Sequence, residues 1–182
     1  RSKTSFGVGD FGDLKKMIDY IDKTGQRVLQ ILPINDTTIT HTWTDSYPYS
    51  CISVFALHPM YVDLTQLPQL KDAKERDRFE KLRVELNGLK QIDYERVNNA
   101  KLEYLHLLFT QEGKQMMSSK KFHEFFHETE QWLVPYAQYA TLRDKYGTAD
   151  ISQWPDQNTW DEADRKELSN SRSKPYKEVK FW

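Results

Sequence analysis

Near the start of the chain the apolar positions return at helical spacing, with Leu14, Met17, Ile18 and Ile21 on one face. Asp10 or Asp13 can cap this helix, and Gly25 stops it just after Lys23. The pattern then changes to a short β-like run, Arg27-Val-Leu-Gln-Ile-Leu32, closed by Pro33. From Trp43 to Tyr61 neither period holds: rings, hydroxyls and a carboxylate crowd a segment that Pro48 and Pro59 keep out of any regular helix. One reading is a stiff displayed loop; the other is a turn followed by a buried strand over Ile52–Ala56.

Beyond Asp63 the pattern is helical. Residues 72–87 are strongly charged, with Phe79, Leu82 and Leu86 as a thin apolar stripe. Asp93 can cap a longer helix carrying Val97, Ala100, Tyr104, Leu105, Leu108 and Phe109. Ser118 or Ser119 can cap the next, which groups Phe122, Phe125 and Phe126. Trp132, Leu133, Tyr136, Tyr139, Ala140 and Leu142 continue the stripe to Tyr146-Gly147. Pro135 predicts a break, with a new helix starting near Gln131 or Trp132. Thr159-Trp-Asp-Glu162 has capping-box spacing for a short last helix, and Ser169–Pro175 reads as a linker. The expected organisation is β/α over residues 1–62 and a compact helical part over 63–182, with the aromatic loop at the carboxyl end of the first strand, where parallel β/α folds bind ligands.

Composition narrows the function. With 26 basic and 27 acidic residues the net charge is −1, and the charges are mixed along the helices, which argues against a nucleic-acid surface. No apolar stretch approaches a membrane span. The single cysteine, Cys51, rules out an intrachain disulfide, points to a reducing compartment, and reads as a buried small hydrophobe. The opening Arg1-Ser-Lys without an initiator methionine, and the ending Val179-Lys-Phe-Trp182, predict a piece excised from a longer protein.

Two motifs suggest chemistry that the rest of the sequence does not support. Gly7-Val-Gly-Asp-Phe-Gly12 matches G-x-G-x-x-G, but the polar Arg1–Phe6 is no strand feeding it, and Asp36 falls too late for a ribose-binding acid. These glycines read as a tight turn before a helix, and no cofactor is expected. His123 and His127 are four apart on a helix but lack a third ligand at a telling distance, so a metal site is not expected either. His41 and His58 flank the aromatic loop as donors or structural residues.

In order along the chain, Ser5-Phe-Gly-Val-Gly-Asp-Phe-Gly-Asp-Leu14, Leu32-Pro-Ile-Asn-Asp36, Asp45-Ser-Tyr-Pro-Tyr-Ser50 and Ser53-Val-Phe-Ala-Leu-His-Pro59 resemble the amylomaltase, or disproportionating-enzyme, family of 4-α-glucanotransferases. Asp93-Tyr-Glu-Arg-Val97, Lys101, Phe109, Trp132-Leu-Val-Pro-Tyr-Ala137 and Trp154-Pro155 resemble the helical insertion that this family carries after its second barrel strand. The form Trp43-Thr-Asp-Ser-Tyr-Pro-Tyr is closest to the larger cytosolic type, which carries starch-binding modules ahead of the barrel.

The resemblance implies the first β/α units of a (β/α)₈ TIM barrel plus an inserted helical subdomain, in a cytoplasmic enzyme of starch and glycogen metabolism. It implies transfer of α-1,4-glucan segments between maltooligosaccharides by retaining double displacement. The catalytic carboxylates of the family come from later strands, so none is expected here, and the isolated piece should be inactive beside the missing remainder of the barrel. Ser46 and Tyr49 match the serine and tyrosine of a glucan-lining Asp-Ser-Pro-Tyr pattern, and Asp45 matches its aspartate, which orders the loop or binds a hydroxyl. Tyr47 is the departure from that pattern, and Trp43 or Tyr49 would stack on a glucose face. Two alternatives stand beside this reading. One is a non-enzymatic helical interaction module using Phe122, Phe125, Phe126 and Trp132, though their spacing fits burial better; the other is a maltooligosaccharide-binding module.

Overall fold

The computed structural model describes residues 1–154, 162–173 and 175–182. Six α-helices account for most of it: α1 Phe11–Lys23, α2 Ala73–Gly88, α3 Tyr94–Met117, α4 Lys120–Tyr146, α5 Glu162–Leu168 and α6 Tyr176–Phe181. Polar caps begin the first four. Asp10 accepts from the Asp13 N–H at 2.9 Å, Asp72 from Lys74 at 2.8 Å, Asp93 from Arg96 at 3.1 Å and Ser119 from Phe122 at 3.2 Å. Gly147, left-handed at φ 69°, closes α4.

The main core lies between α2 and α3. Phe79 and Leu86 of α2 meet Val97, Ala100 and Leu108 of α3, and two irregular segments plug the cleft: Phe6 and Val8 before α1, and Met60 and Leu70 after the aromatic loop. Side chains from both sides of position 62 thus share one apolar cluster. The rings contribute directional contacts, Phe79 lying edge-on to Tyr104 at 5.1 Å.

Lys101 is fully buried beside this cluster and donates to the carbonyls of Met60 (2.7 Å) and Val62 (2.8 Å), tying the end of the loop to α3. Burial pushes its pKa down from 10.5 to about 8, against the opposing pull of Asp10, Asp63 and Asp13. Between those two values the unfolded chain holds a proton that the folded chain has released, so this group makes stability rise with pH across the interval. Urea unfolding is expected to show a gain of up to about 3 kcal/mol between pH 7.5 and 10, abolished in Lys101→Met. A flat profile in the parent chain refutes the assignment. Above pH 10 the buried Tyr136 hydroxyl, its pKa raised by burial and then by Asp36, reverses the trend.

Several expectations are corrected. The strand over Arg27–Leu32 does not form, and the described residues contain no strand beyond a single antiparallel bridge between Asn35 and Leu57. No neighbouring strand lies alongside this run to accept its ladder, so its backbone hydrates and its side chains stand free, Val28 being 81% exposed. The alternative strand over Ile52–Ala56 is also absent: its backbone meets residues 34–36 only through Ile52 and Ala56, both bonded to Asp36, and only Ala56 is buried there, while Val54 and Phe55 are exposed.

Pro135 does not break the helix: α4 runs through it for 27 residues. The ring removes one N–H, but Pro135 and Gln131 both lie on the exposed side, where water can satisfy the freed carbonyl. Phe122, Phe125 and Phe126 do not enter the core; Phe122 and Phe126 stack on each other at 6.0 Å and Phe125 is exposed. Cys51 is an exposed free thiol, because the segment around it is a loop rather than a buried strand. The predicted capping box at Thr159–Asp161, Pro155 of the Trp-Pro pair and Lys174 of the linker lie outside the described residues.

Candidate functional site

The aromatic segment is irregular but tightly determined. Thr42 leads into a 3₁₀ turn over Trp43–Ser46, and His41 before it is left-handed at φ 59°. That strained backbone is held by Asp45, whose buried carboxylate accepts from the N–H of His41 at 2.7 Å and of Thr40 at 3.2 and 3.3 Å. The Thr37 hydroxyl donates to the Asp45 carbonyl, and the Ser46 hydroxyl donates to the Trp43 carbonyl at 2.7 Å. Polar atoms are thereby turned inward and rings outward.

Three rings are displayed. Trp43, Tyr47 and Tyr49 are 52%, 59% and 61% exposed. Tyr47 meets Tyr49 edge to face at 5.4 Å and 61°, and Trp43 meets Tyr94 of α3 at 5.7 Å and 75°. Such rings, immobilised by their neighbours, offer flat C–H-binding faces at little entropic cost.

A buried polar cluster carries the loop on α4. Asp36 and Arg143 are both fully buried, with Nη1 of the arginine 3.4 Å from the carboxylate. The Tyr136 hydroxyl donates to the same Asp36 oxygen at 2.7 Å, while the other oxygen accepts from the N–H and hydroxyl of Thr38 at 2.9 and 2.6 Å. Arg143 Nε donates to Asp144 Oδ1 at 2.8 Å, and the same oxygen meets His41 Nε2 at 2.8 Å. The Trp182 ring lies over the guanidinium at 4.8 Å.

Burial sets the electrostatics of this region. It raises the Asp144 carboxyl, but the bonds from His41 and Arg143 outweigh it and leave the pKa below the usual value. Burial also opposes the charge on Arg143, yet Asp144 and Asp36 hold it firmly protonated. His58, buried behind the loop, is pushed down by burial and accepts the Met60 N–H on Nδ1 at 3.1 Å. Acid therefore has to charge a buried imidazole, so this group makes stability fall as the pH drops below the ordinary histidine range.

All five candidate residues thus fall in one turn, in two classes: Asp45 and Ser46 shape the backbone, and Trp43, Tyr47 and Tyr49 face solvent. Asp36, Tyr136, Arg143 and Asp144 were not singled out as site residues in the sequence. Their only signals were a basic residue on an aromatic stripe and an aspartate after Pro33, neither of which specifies a partner a hundred positions away. His123 and His127 are exposed, and the described residues contain no group of three metal-ligating side chains. Gly7 of the G-x-G-x-x-G motif is left-handed at φ 79° and lies against Val97 and Leu86 in the core.

The family model described as 4-alpha-glucanotransferase matches residues 1–182. Among curated relatives, the 4-alpha-glucanotransferase DPE2 of Oryza sativa subsp. japonica is 40% identical over 154 residues, covering 85% of this chain and 16% of its own length. A 4-alpha-glucanotransferase of Chlamydia muridarum is 30% identical over 154 residues, covering 84% of this chain and 28% of its own. One from Chlamydia pneumoniae is 29% identical across the whole chain, which spans 33% of that relative. The chain thus spans a third or less of these relatives' length. From the match over its full length, the chain belongs to the 4-alpha-glucanotransferase family.

Proposed function

We propose that this chain is part of a 4-α-glucanotransferase and supplies a glucan-holding rim to an active site whose catalytic carboxylates lie in sequence outside it. The observation that carries the reading is the display of Trp43, Tyr47 and Tyr49 on a loop held rigid from beneath, in a chain that matches the family throughout. A glucose ring presents C–H groups on its faces and hydroxyls at its edge. The tyrosine faces take the former, and Ser46, already donating to Trp43, keeps its oxygen as acceptor for the latter. Asp45 acts through the loop backbone. The reaction is transfer of α-1,4-glucan segments between maltooligosaccharides by retaining double displacement, one carboxylate as nucleophile and a second as acid and then base, with no cofactor.

In the same reading, residues 1–62 are the first units of a (β/α)₈ barrel and 63–182 the helical subdomain. The exposed apolar groups of α1 and of residues 28–34, including Met17, Ile18, Ile31 and Leu32, then meet the remainder of the barrel. The lone free thiol of Cys51 suits a cytoplasmic enzyme, and among the described residues no helix is long and apolar enough to cross a membrane.

Tyr49→Ala in the longer enzyme tests the rim. The KM for maltooligosaccharides is expected to rise about tenfold, the loss of one stacking contact of about 1.4 kcal/mol, with kcat little changed. An unchanged KM removes Tyr49 from the site. The 182-residue chain alone is expected to release no glucose and to disproportionate no maltotriose.

A further inference from the structure

The loop that carries the rings is wired to α4 through two contiguous routes. The first centres on two fully buried residues, Asp36 and Arg143: Tyr136 and Arg143 meet Asp36, and Asp36 holds both limbs of the loop. Its N–H donates to the Ala56 carbonyl at 2.9 Å, its carbonyl accepts from Ile52 at 2.8 Å, and its carboxylate fixes Thr38. The second runs from Arg143 through Asp144 to the His41 ring, and His41 stands next to the turn that Asp45 closes. Tyr136 and Asp144, about two helical turns apart on α4, thus bear on the loop at separate points. A third point of support is apolar: Phe55 stacks on Trp132, one turn before Tyr136, at 5.4 Å and 23°.

An exposed three-ring loop without ladder hydrogen bonds would sample many conformers, and each ring face would meet a sugar only part of the time. We infer that Tyr136, Arg143 and Asp144 of α4, acting on Asp36 and His41, are positioning residues that hold the Trp43–Tyr49 rings in their sugar-binding geometry. The helical subdomain is on this account the anvil for a binding loop, and residues a hundred positions downstream set the affinity of the rim. The positioning of the loop follows from the hydrogen bonds alone, whereas its consequence for glucan rests on the function proposed above.

Tyr136→Phe and Asp144→Leu each remove one link while keeping shape, since neither new side chain has an acceptor or donor at that point. Cys51 is exposed, is the sole cysteine, and precedes the Ile52 that bonds to Asp36, so a nitroxide attached to it reports the loop directly. In the 182-residue chain each variant is expected to increase the mobile fraction of the label at least threefold while the melting temperature stays within a few degrees. In the longer enzyme each is expected to raise the KM for maltoheptaose about fivefold with kcat within twofold, and Tyr136→Phe is expected to add nothing in a Tyr49→Ala background. An immobile label in both variants overturns the positioning role, whatever the kinetics. A mobile label with unchanged KM overturns the glucan-holding role of the loop and leaves the clip standing. Equal effects of Tyr136→Phe with and without Tyr49 show that the hydroxyl acts elsewhere and overturn the inference.

Discussion

Arg143→Met is expected to lower the stability of the chain by about 3–5 kcal/mol in urea unfolding. The size follows from what the substitution leaves behind. Asp36 is fully buried, and its partners on one oxygen are the arginine and the Tyr136 hydroxyl, so removal of the guanidinium strands a carboxylate in the interior beside neutral groups alone. Asp144 loses its Nε bond at the same time, and the Thr38 carbonyl loses its contact at 3.4 Å. A Coulombic account and a packing account separate cleanly in the double variant. If the charge left on Asp36 dominates, Asp36→Asn added to Arg143→Met recovers more than half of the loss, because an amide can keep the Thr38 and Tyr136 bonds without a charge to bury. If the lost volume over Trp182 dominates, the double variant is no better than the single one. Nη2 of Arg143 is buried without a hydrogen-bond partner among the described residues, so the native cluster already bears a polar cost that methionine does not. That places the loss toward the lower end of the range.

The contrast between this cluster and the helices explains what could be read from the chain. Helix starts are local: Asp10, Asp93 and Ser119 each bond an N–H within three residues, so type and spacing suffice to find them. The loop was also legible, since Pro48, Pro59 and a dense run of rings exclude regular structure and leave display as the use for so many aromatics. Non-local pairings were not legible. Asp36 finds its partners 100 and 107 positions away, and no feature of an isolated aspartate announces that. The strand over Arg27–Leu32 failed for the complementary reason. A strand exists only through its neighbours, and a run of β-formers without them remains irregular, however apolar. Pro135 shows the opposite error, in which a local rule was applied too firmly: the proline and Gln131 are exposed, so water can take the freed carbonyl and α4 continues across a missing hydrogen bond into its buried C-terminal half.

At the aromatic loop, sequence and structure divide the work differently. Residue types pointed to Asp45, Ser46, Tyr47, Tyr49 and Trp43 as one set, but the fold separates them by role. Asp45 is only 5% exposed and spends its carboxylate on two backbone N–H groups. Its contribution to any ligand is therefore geometric, and the left-handed His41 is the conformation it maintains.

Gly7→Ala is expected to be among the most damaging single substitutions that leave every polar contact in place, at about 3 kcal/mol or more. Two independent penalties meet at this position. The backbone is at φ +79°, where a side chain adds about 1 kcal/mol or more of strain. A Cβ would also stand 2.6 Å from Val97 Cγ2 and 3.0 Å from Leu86 Cβ, atoms of two fully buried residues on α3 and α2. Neither can swing aside: valine is confined at χ1 in a helix, and a Cβ moves only with its backbone, so the helices must part. Gly25→Ala isolates the first penalty. It shares the left-handed backbone at φ +74° but has nothing within 4 Å of the added carbon, and should lose only about 1 kcal/mol. Guanidinium unfolding of the two variants gives the clash as their difference, expected at about 2 kcal/mol. Equal losses would mean that the α2–α3 cleft yields to the methyl, and that the glycine of the G-x-G-x-x-G motif serves the turn alone. A larger loss at Gly7 identifies the motif as the point where the chain before α1 is pressed into the core.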